Sequence, residues 1–164
     1  MIFVSLFNLT YTHHFGLRDP EVTMKKVAVV YWTSTGNTLA MANAIVEGAQ
    51  NADAAVTLLE ASEFGPEQIG EYDTIAFGCP AMGNEELEES EFEPMFASVE
   101  GLLSGKPVAL FGSYAWNDGQ WMRDWVDRVQ ADGASLINEE GLTAYSEPSE
   151  DDLAACRELV ANLA

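Results

Sequence analysis

Residues 26–32 read KVAVVYW, an almost unbroken apolar run of the kind required by a strand buried on both faces of a parallel sheet. Similar runs recur at residues 55–59, 74–78, 108–112 and, more weakly, 134–137. Between them the apolar positions take a helical period: Met41, Ile45 and Ala49; then Phe92, Phe96, Val99 and Leu103; then Met122, Trp125 and Val129. A last helix carries Leu153, Cys156, Val160 and Leu163. Gly65, Pro66 and Gly70 limit residues 62–70 to a turn or two.

Strict alternation of strand and helix means βαβ units with right-handed crossovers, hence a parallel sheet covered on both faces. The expected fold is α/β, a three-layer sandwich of five parallel strands and about five helices. Ligands of such sheets sit outside the carboxyl ends of the strands, where the winding reverses. The loops that follow the strands are therefore where chemistry is expected.

Composition narrows the function classes. A chain of 164 residues with 48% hydrophobic content fills one compact core and leaves no length for a second domain. Its formal charge of −20, from 27 acidic against 7 basic residues, repels nucleic-acid backbones and anionic membrane surfaces. Such a field either speeds docking onto basic protein patches or simply keeps the chain soluble. Cys79 and Cys156 form no CxxC pair and are expected to be free thiols in a reducing cytosol, with no zinc or iron–sulfur site.

Residues 1–23, which contain His13 and His14, begin with an apolar run but lack a basic leading region and a small-residue cleavage site. The run at residues 2–7 is too short to span a bilayer. Met24 directly precedes the first strand pattern. We therefore expect an N-terminal extension over residues 1–23, either a non-native start or loosely attached, and a single domain over residues 24–164.

Three loops carry candidate chemistry. After the first strand comes Thr33-Ser34-Thr35-Gly36-Asn37-Thr38, with a helix starting in it or just after it. Hydroxyls and free N–H groups at a helix N-terminus can surround a phosphate, favoured by the helix dipole. With no lysine or arginine in the loop, a terminal monophosphate fits better than a nucleoside triphosphate. An ordinary Ser/Thr helix cap is the plainer alternative.

The third strand runs into Cys79-Pro80-Ala81-Met82-Gly83-Asn84-Glu85. Gly83-Asn84 tolerates positive φ, so its peptide can take two orientations at low cost. Met82 offers a polarizable sulfur that packs on an aromatic ring, although a methionine is commonly core filler. The fourth strand runs into Ser113-Tyr114-Ala115-Trp116-Asn117-Asp118-Gly119, where Trp116 lies in a polar loop and wants a flat partner. Trp121 and Trp125 fall at helical spacing and read as core.

The phosphate loop TSTGNT, the turn AMGNE, the following LEESEFEP and the loop GSYAWNDGQWMRDW together resemble a short-chain flavodoxin, over essentially residues 24–164. The resemblance implies the strand order 2-1-3-4-5 and non-covalent FMN. Its phosphate would be held by Thr33, Ser34, Thr35, Asn37, Thr38 and backbone N–H groups including that of Gly36, with the isoalloxazine between Met82 and Trp116. Glu85 corresponds to the residue that engages the flavin N3 side. Pro80, Ala81, Gly83, Asn84, Ser113, Tyr114, Asn117, Asp118 and Gly119 complete the expected cofactor-binding loops.

The resemblance further implies that the Gly83-Asn84 peptide turns over on one-electron reduction, so that the Gly83 carbonyl accepts from protonated N5 and stabilises the neutral semiquinone. Two positions depart from close relatives. Ser34 stands where a relative has glycine, adding a hydroxyl. Asn84 stands where some relatives carry aspartate, and the lost charge should raise the potential slightly.

The expected job is a low-potential, one-electron shuttle between redox proteins through semiquinone and hydroquinone states. The flavoprotein would act as a cytoplasmic, monomeric carrier and not as an enzyme with its own substrate, with no metal and with partners that present basic docking surfaces. Glu85, Glu86, Glu88, Glu89, Glu91 and Glu93 crowd the segment after the flavin turn. They read either as a solvated helix start or as charges that oppose an anionic hydroquinone and steer docking. One carboxylate at ~10 Å and an effective dielectric of ~20 contributes roughly 1.7 kcal/mol, on the order of 70 mV, before salt screening. An FMN-dependent quinone or nitro reductase of the same fold is the main alternative. A phosphoacceptor signalling domain is disfavoured, because the first strand ends in Trp32-Thr33 and the third in Gly78-Cys79, without the acidic residues such a domain uses.

Overall fold

The computed structural model describes residues 23–163. The expected extension at residues 1–23, with His13 and His14, lies outside the described residues apart from Thr23. The elements run β1 (Lys26–Tyr31), α1 (Asn37–Asn51), β2 (Ala55–Glu60), β3 (Thr74–Gly78), α2 (Phe92–Val99), β4 (Pro107–Tyr114), α3 (Gln120–Ala131), β5 (Ser135–Leu136), β6 (Leu142–Tyr145) and α4 (Glu150–Glu158). All pairings among these strands are parallel, and the sheet order is β2-β1-β3-β4-β5, with β6 also on β4.

The period of two along each central strand divides the core between the two faces. Ala28 and Val30 of β1 join Phe77, Phe92, Phe96, Trp121 and Trp125 on the side of α2 and α3. Val27, Val29 and Tyr31 join Met41, Ile45, Phe111 and Cys156 on the side of α1 and α4. Trp125 meets Phe92 and Phe96 edge-on at 5.4 and 5.7 Å between ring centroids, the arrangement aromatic quadrupoles prefer. On the opposite face α1 and α4 approach so closely that a Cβ on Gly48 would lie 1.7 Å from the Arg157 carbonyl oxygen. Only glycine fits there.

Two expectations need correction. The fifth strand was expected as one piece at residues 134–137, but it is split into β5, pairing Pro107 and Val108, and β6, pairing Phe111 to Tyr114. Asn138 fills the break: its Oδ1 accepts from the Leu110 amide at 3.1 Å and its Nδ2 donates to the Leu110 carbonyl at 2.8 Å, so a side-chain amide takes the place of a backbone rung. Two helices are also shorter than the apolar period implied, α2 ending at Val99 short of Leu103 and α4 ending short of Val160. Four α-helices stand among the described residues, residues 61–63 and 66–71 form 3₁₀ turns, and α4 ends at Glu158 before a further 3₁₀ turn at Ala161–Leu163.

Candidate functional site at the carboxyl ends of the strands

The loops after β1, β3 and β4 open on the same edge of the sheet, as the parallel topology dictates. In the first, the Thr33 hydroxyl accepts from the Gly36 amide at 3.1 Å, and Gly36 takes φ +94°, which turns the chain into α1. A non-glycine residue there would be strained. No side chain caps α1, so the plain helix-cap reading of these hydroxyls does not hold. Ser34 and Thr35 are exposed, and Thr38 is buried with its hydroxyl 3.3 Å from that of Ser113. Orphan N–H groups at a helix start beside hydroxyls are an arrangement that suits an anion.

The second loop is a closed turn. Met82 and Glu86 exchange backbone hydrogen bonds of 2.8 and 2.9 Å, with Gly83, Asn84 and Glu85 between them. Gly83 has φ +52° as the sequence allows, but the second left-handed residue is Glu85 at +61° and not Asn84. That conformation aims the Glu85 side chain back at the body of the protein: Oε2 accepts from the Trp121 amide at 2.9 Å, while Oε1 is buried with no partner. Pro80 and Ala81 are buried, and the Ala81 amide donates to the Ser113 carbonyl at 3.0 Å, which ties the second loop to the third.

In the third loop Ser113 is buried, Tyr114 is half-buried and Trp116 is 49% exposed, an open aromatic side chain. Asn117 and Gly119 take φ +63° and +87°. Asp118 forms a 2.9 Å ion pair with Arg123, which also donates to the Asp118 carbonyl at 3.0 Å. Trp121 and Trp125 are core, as expected, and the Trp121 indole donates to the Cys79 carbonyl at 3.1 Å.

The glutamate-rich segment is less uniform than its sequence. Glu88 is buried and accepts from the amides of Ser90, Glu91 and Phe92 and from the Ser90 hydroxyl, which closes the start of α2. Glu91 accepts from the Trp32 indole at 3.0 Å, and Glu93 pairs with Arg128 at 2.7 Å. Glu86 and Glu89 are exposed. Sequence reasoning missed the anchors Arg123, Trp121 and Tyr145. Nothing in the sequence set Glu88 apart from its acidic neighbours, which all read alike as a helix start or as charges near the second loop.

Both cysteines are free thiols. Burial pushes each thiol up, Cys156 to about 12, so neither is a nucleophile or a ready ligand at neutral pH. No group of three or more His, Cys, Asp or Glu among the described residues could hold a metal ion. No helix among them is long and apolar enough to cross a membrane.

A family model described as flavodoxin matches residues 29–159. The chain belongs to the flavodoxin family. It is 42% identical over 133 residues to the flavodoxin of Megasphaera elsdenii, covering 81% of this chain and 94% of that protein. To the flavodoxin of Clostridium beijerinckii it is 43% identical over 122 residues, covering 74% and 88%. The solution structure of two-electron reduced Megasphaera elsdenii flavodoxin superposes with a TM-score of 0.74, covering 84% of this chain and 99% of that one.

Flavodoxins are FMN-binding electron carriers, and the residues of this chain fit that cofactor. The uncapped α1 terminus with its hydroxyls suits a monophosphate, and the orphaned Glu85 oxygen supplies the acceptor that an imide N–H of a flavin ring requires.

Proposed function

We propose that this flavodoxin-family chain is a low-potential, one-electron, cytoplasmic carrier that serves larger redox proteins and has no small-molecule substrate of its own. Thr33, Ser34, Thr35, Asn37, Thr38 and the Gly36 amide hold the FMN phosphate. Met82 and Trp116 would cover the two faces of the ring, and Glu85 Oε1 would accept a hydrogen bond from its N3–H. Pro80, Ala81, Gly83, Asn84, Ser113, Tyr114, Asn117, Asp118 and Gly119 shape the two loops around it. FMN, when bound, supplies the redox chemistry.

The observation that carries this reading is the buried, partnerless Glu85 Oε1, because an unsatisfied buried carboxylate oxygen costs free energy that a bound N–H donor recovers. Tethering between the loops supports it. Thr38 to Ser113 and Ala81 to Ser113 tie the three loops together, and Glu85 to Trp121 ties the second to the start of α3, which limits reorganisation on each electron transfer.

Exposed Glu86 and Glu89, together with the net charge of −20, favour basic docking surfaces on partners of a monomeric carrier. Glu86→Gln with Glu89→Gln is expected to slow association with a reductase at low ionic strength and to leave the rate at high salt unchanged. Equal rates at both salt concentrations would remove the steering role.

The test of the whole reading is absorbance during stepwise dithionite reduction of the FMN-loaded protein under argon. A transient long-wavelength band marks one-electron carriage. Direct two-electron bleaching, with NADPH oxidation in the absence of any added reductase, would make the chain a quinone or nitro reductase instead.

A further inference from the structure

Trp116 lies between two tethers. On its C-terminal side, Arg123 holds both the carbonyl and the carboxylate of Asp118. On its N-terminal side, the Tyr145 hydroxyl donates to the Ala115 carbonyl at 3.2 Å. Tyr145 ends β6, in register with Tyr114, and its ring meets the Tyr114 ring edge-on at 5.3 Å between centroids. Tyr114 in turn packs on Trp121 at 5.4 Å. The next amide, Ser146, donates to the Tyr114 carbonyl at 2.7 Å from a residue in left-handed conformation, φ +59°.

The chain therefore turns sharply straight after Tyr145, and that turn leaves the tyrosine 62% exposed while its hydroxyl reaches over the loop. A large aromatic residue so exposed contributes little as core. Its two directed contacts both fall on residues immediately before Trp116.

We propose that Tyr145 is a positioning residue for Trp116: it fixes the N-terminal side of the tryptophan loop and so preorganises the indole for the flavin ring. The proposal rests on the reading that Trp116 covers the ring. Preorganisation acts by removing the ordering cost that the loop otherwise meets on binding. A single exposed hydrogen bond has a net strength that corresponds to about a three- to fivefold change in affinity.

The experiment is a double-mutant cycle of Tyr145→Phe and Trp116→Ala in the full chain, read by FMN titration of the apoprotein and by amide hydrogen exchange at residues 115–118 without FMN. Tyr145→Phe keeps the ring and its contact with Tyr114. It is expected to raise the FMN dissociation constant about three- to fivefold, to speed exchange in the loop by a similar factor, and to have no further effect on affinity in the Trp116→Ala background.

Unchanged affinity and exchange in Tyr145→Phe, with Trp116→Ala still weakened, would overturn the positioning role alone. The same loss of affinity from Tyr145→Phe whether or not Trp116 is present would also overturn it, as a general loosening. Unchanged affinity in Trp116→Ala would instead remove the ring contact on which the proposal rests.

Discussion

Glu85 joins the second loop to the first turn of α3 by accepting a 2.9 Å hydrogen bond from the Trp121 amide with one carboxylate oxygen, while its other oxygen is buried without a partner. The left-handed Glu85 backbone, at φ +61°, is what turns the side chain inward. Strain and an orphaned acceptor at one residue are both unfavourable in isolation. Glu85→Ala is therefore expected to weaken FMN binding by about tenfold or more, the loss of a charge-assisted hydrogen bond. Quenching of FMN fluorescence on titration measures it, and an unaltered dissociation constant would exclude Oε1 from the ring contact.

Glu88 is a stability residue within an acidic stretch. Burial by itself pushes its carboxyl up, but hydrogen bonds from the Ser90 hydroxyl and from the amides of Phe92, Glu91 and Ser90 outweigh that and hold it below the ordinary glutamate value of 4.5. Glu88→Ala uncaps α2 and should cost about 2 kcal/mol in urea unfolding at pH 7. Because the folded pKa is depressed, this contribution is present above the ordinary value and is lost as pH falls through the lowered one. The stability gap between wild type and variant should close on acidification below about 4.5. A gap that is constant with pH would contradict the cap.

Asp132 has the opposite sign. Burial pushes its carboxyl up, helped by its hydrogen bond with Glu100 and by the Glu100 charge, with Arg128 opposing. Arg128 holds the other side of the pair, with a 2.7 Å bond from Nε to Glu100 that keeps the Glu100 carboxyl low. A raised folded pKa contributes stability that is full below the ordinary aspartate value and disappears as pH rises through the raised one. Asp132 also ends α3, where a negative charge opposes the helix dipole. Asp132→Asn is expected to raise the melting temperature at pH 7 by roughly 2–4 °C, with no gain in acid. A lower melting temperature at pH 7 would refute this sign.

The central strands were legible because they are buried on both faces, and β1, β3 and β4 fall within one or two residues of their apolar runs. β6 was not legible. Leu142, Thr143 and Tyr145 stay partly or largely exposed at the sheet's edge, so no continuous apolar run marks them. The three loops were found because a buried strand followed by polar, glycine-containing residues is a strong local signal. What the sequence hides is long-range: Glu85 meets Trp121, and Tyr145 meets Ala115, across separations of 36 and 30 residues. The glutamates show the same limit, since only the fold separates the cap at Glu88 from the exposed Glu86 and Glu89.

Asn138 makes a fourth prediction. Asn138→Ala strands both the amide and the carbonyl of Leu110, a residue with no exposure, and should cost about 2 kcal/mol for two lost bonds. Asn138→Asp keeps only the acceptor half and sets a carboxylate against the Leu110 carbonyl, so it should be at least as damaging. Urea unfolding of the two variants checks this, and near-neutral values for both would show that the strand break needs no bridge.

The rung at Leu110 is carried by a side chain, and the backbone turns outside the ladder at Glu139 and Glu140, both exposed, where the Gly141 amide donates to the Asn138 carbonyl at 2.9 Å. The chain thus has a natural port for added sequence. A flexible insert there lengthens a loop whose ends are already fixed, at a cost that grows by only about 0.6 kcal/mol per doubling of length. An edge that looks like a defect in the fifth strand is where this carrier could accept a fused domain and keep its flavin loops in place.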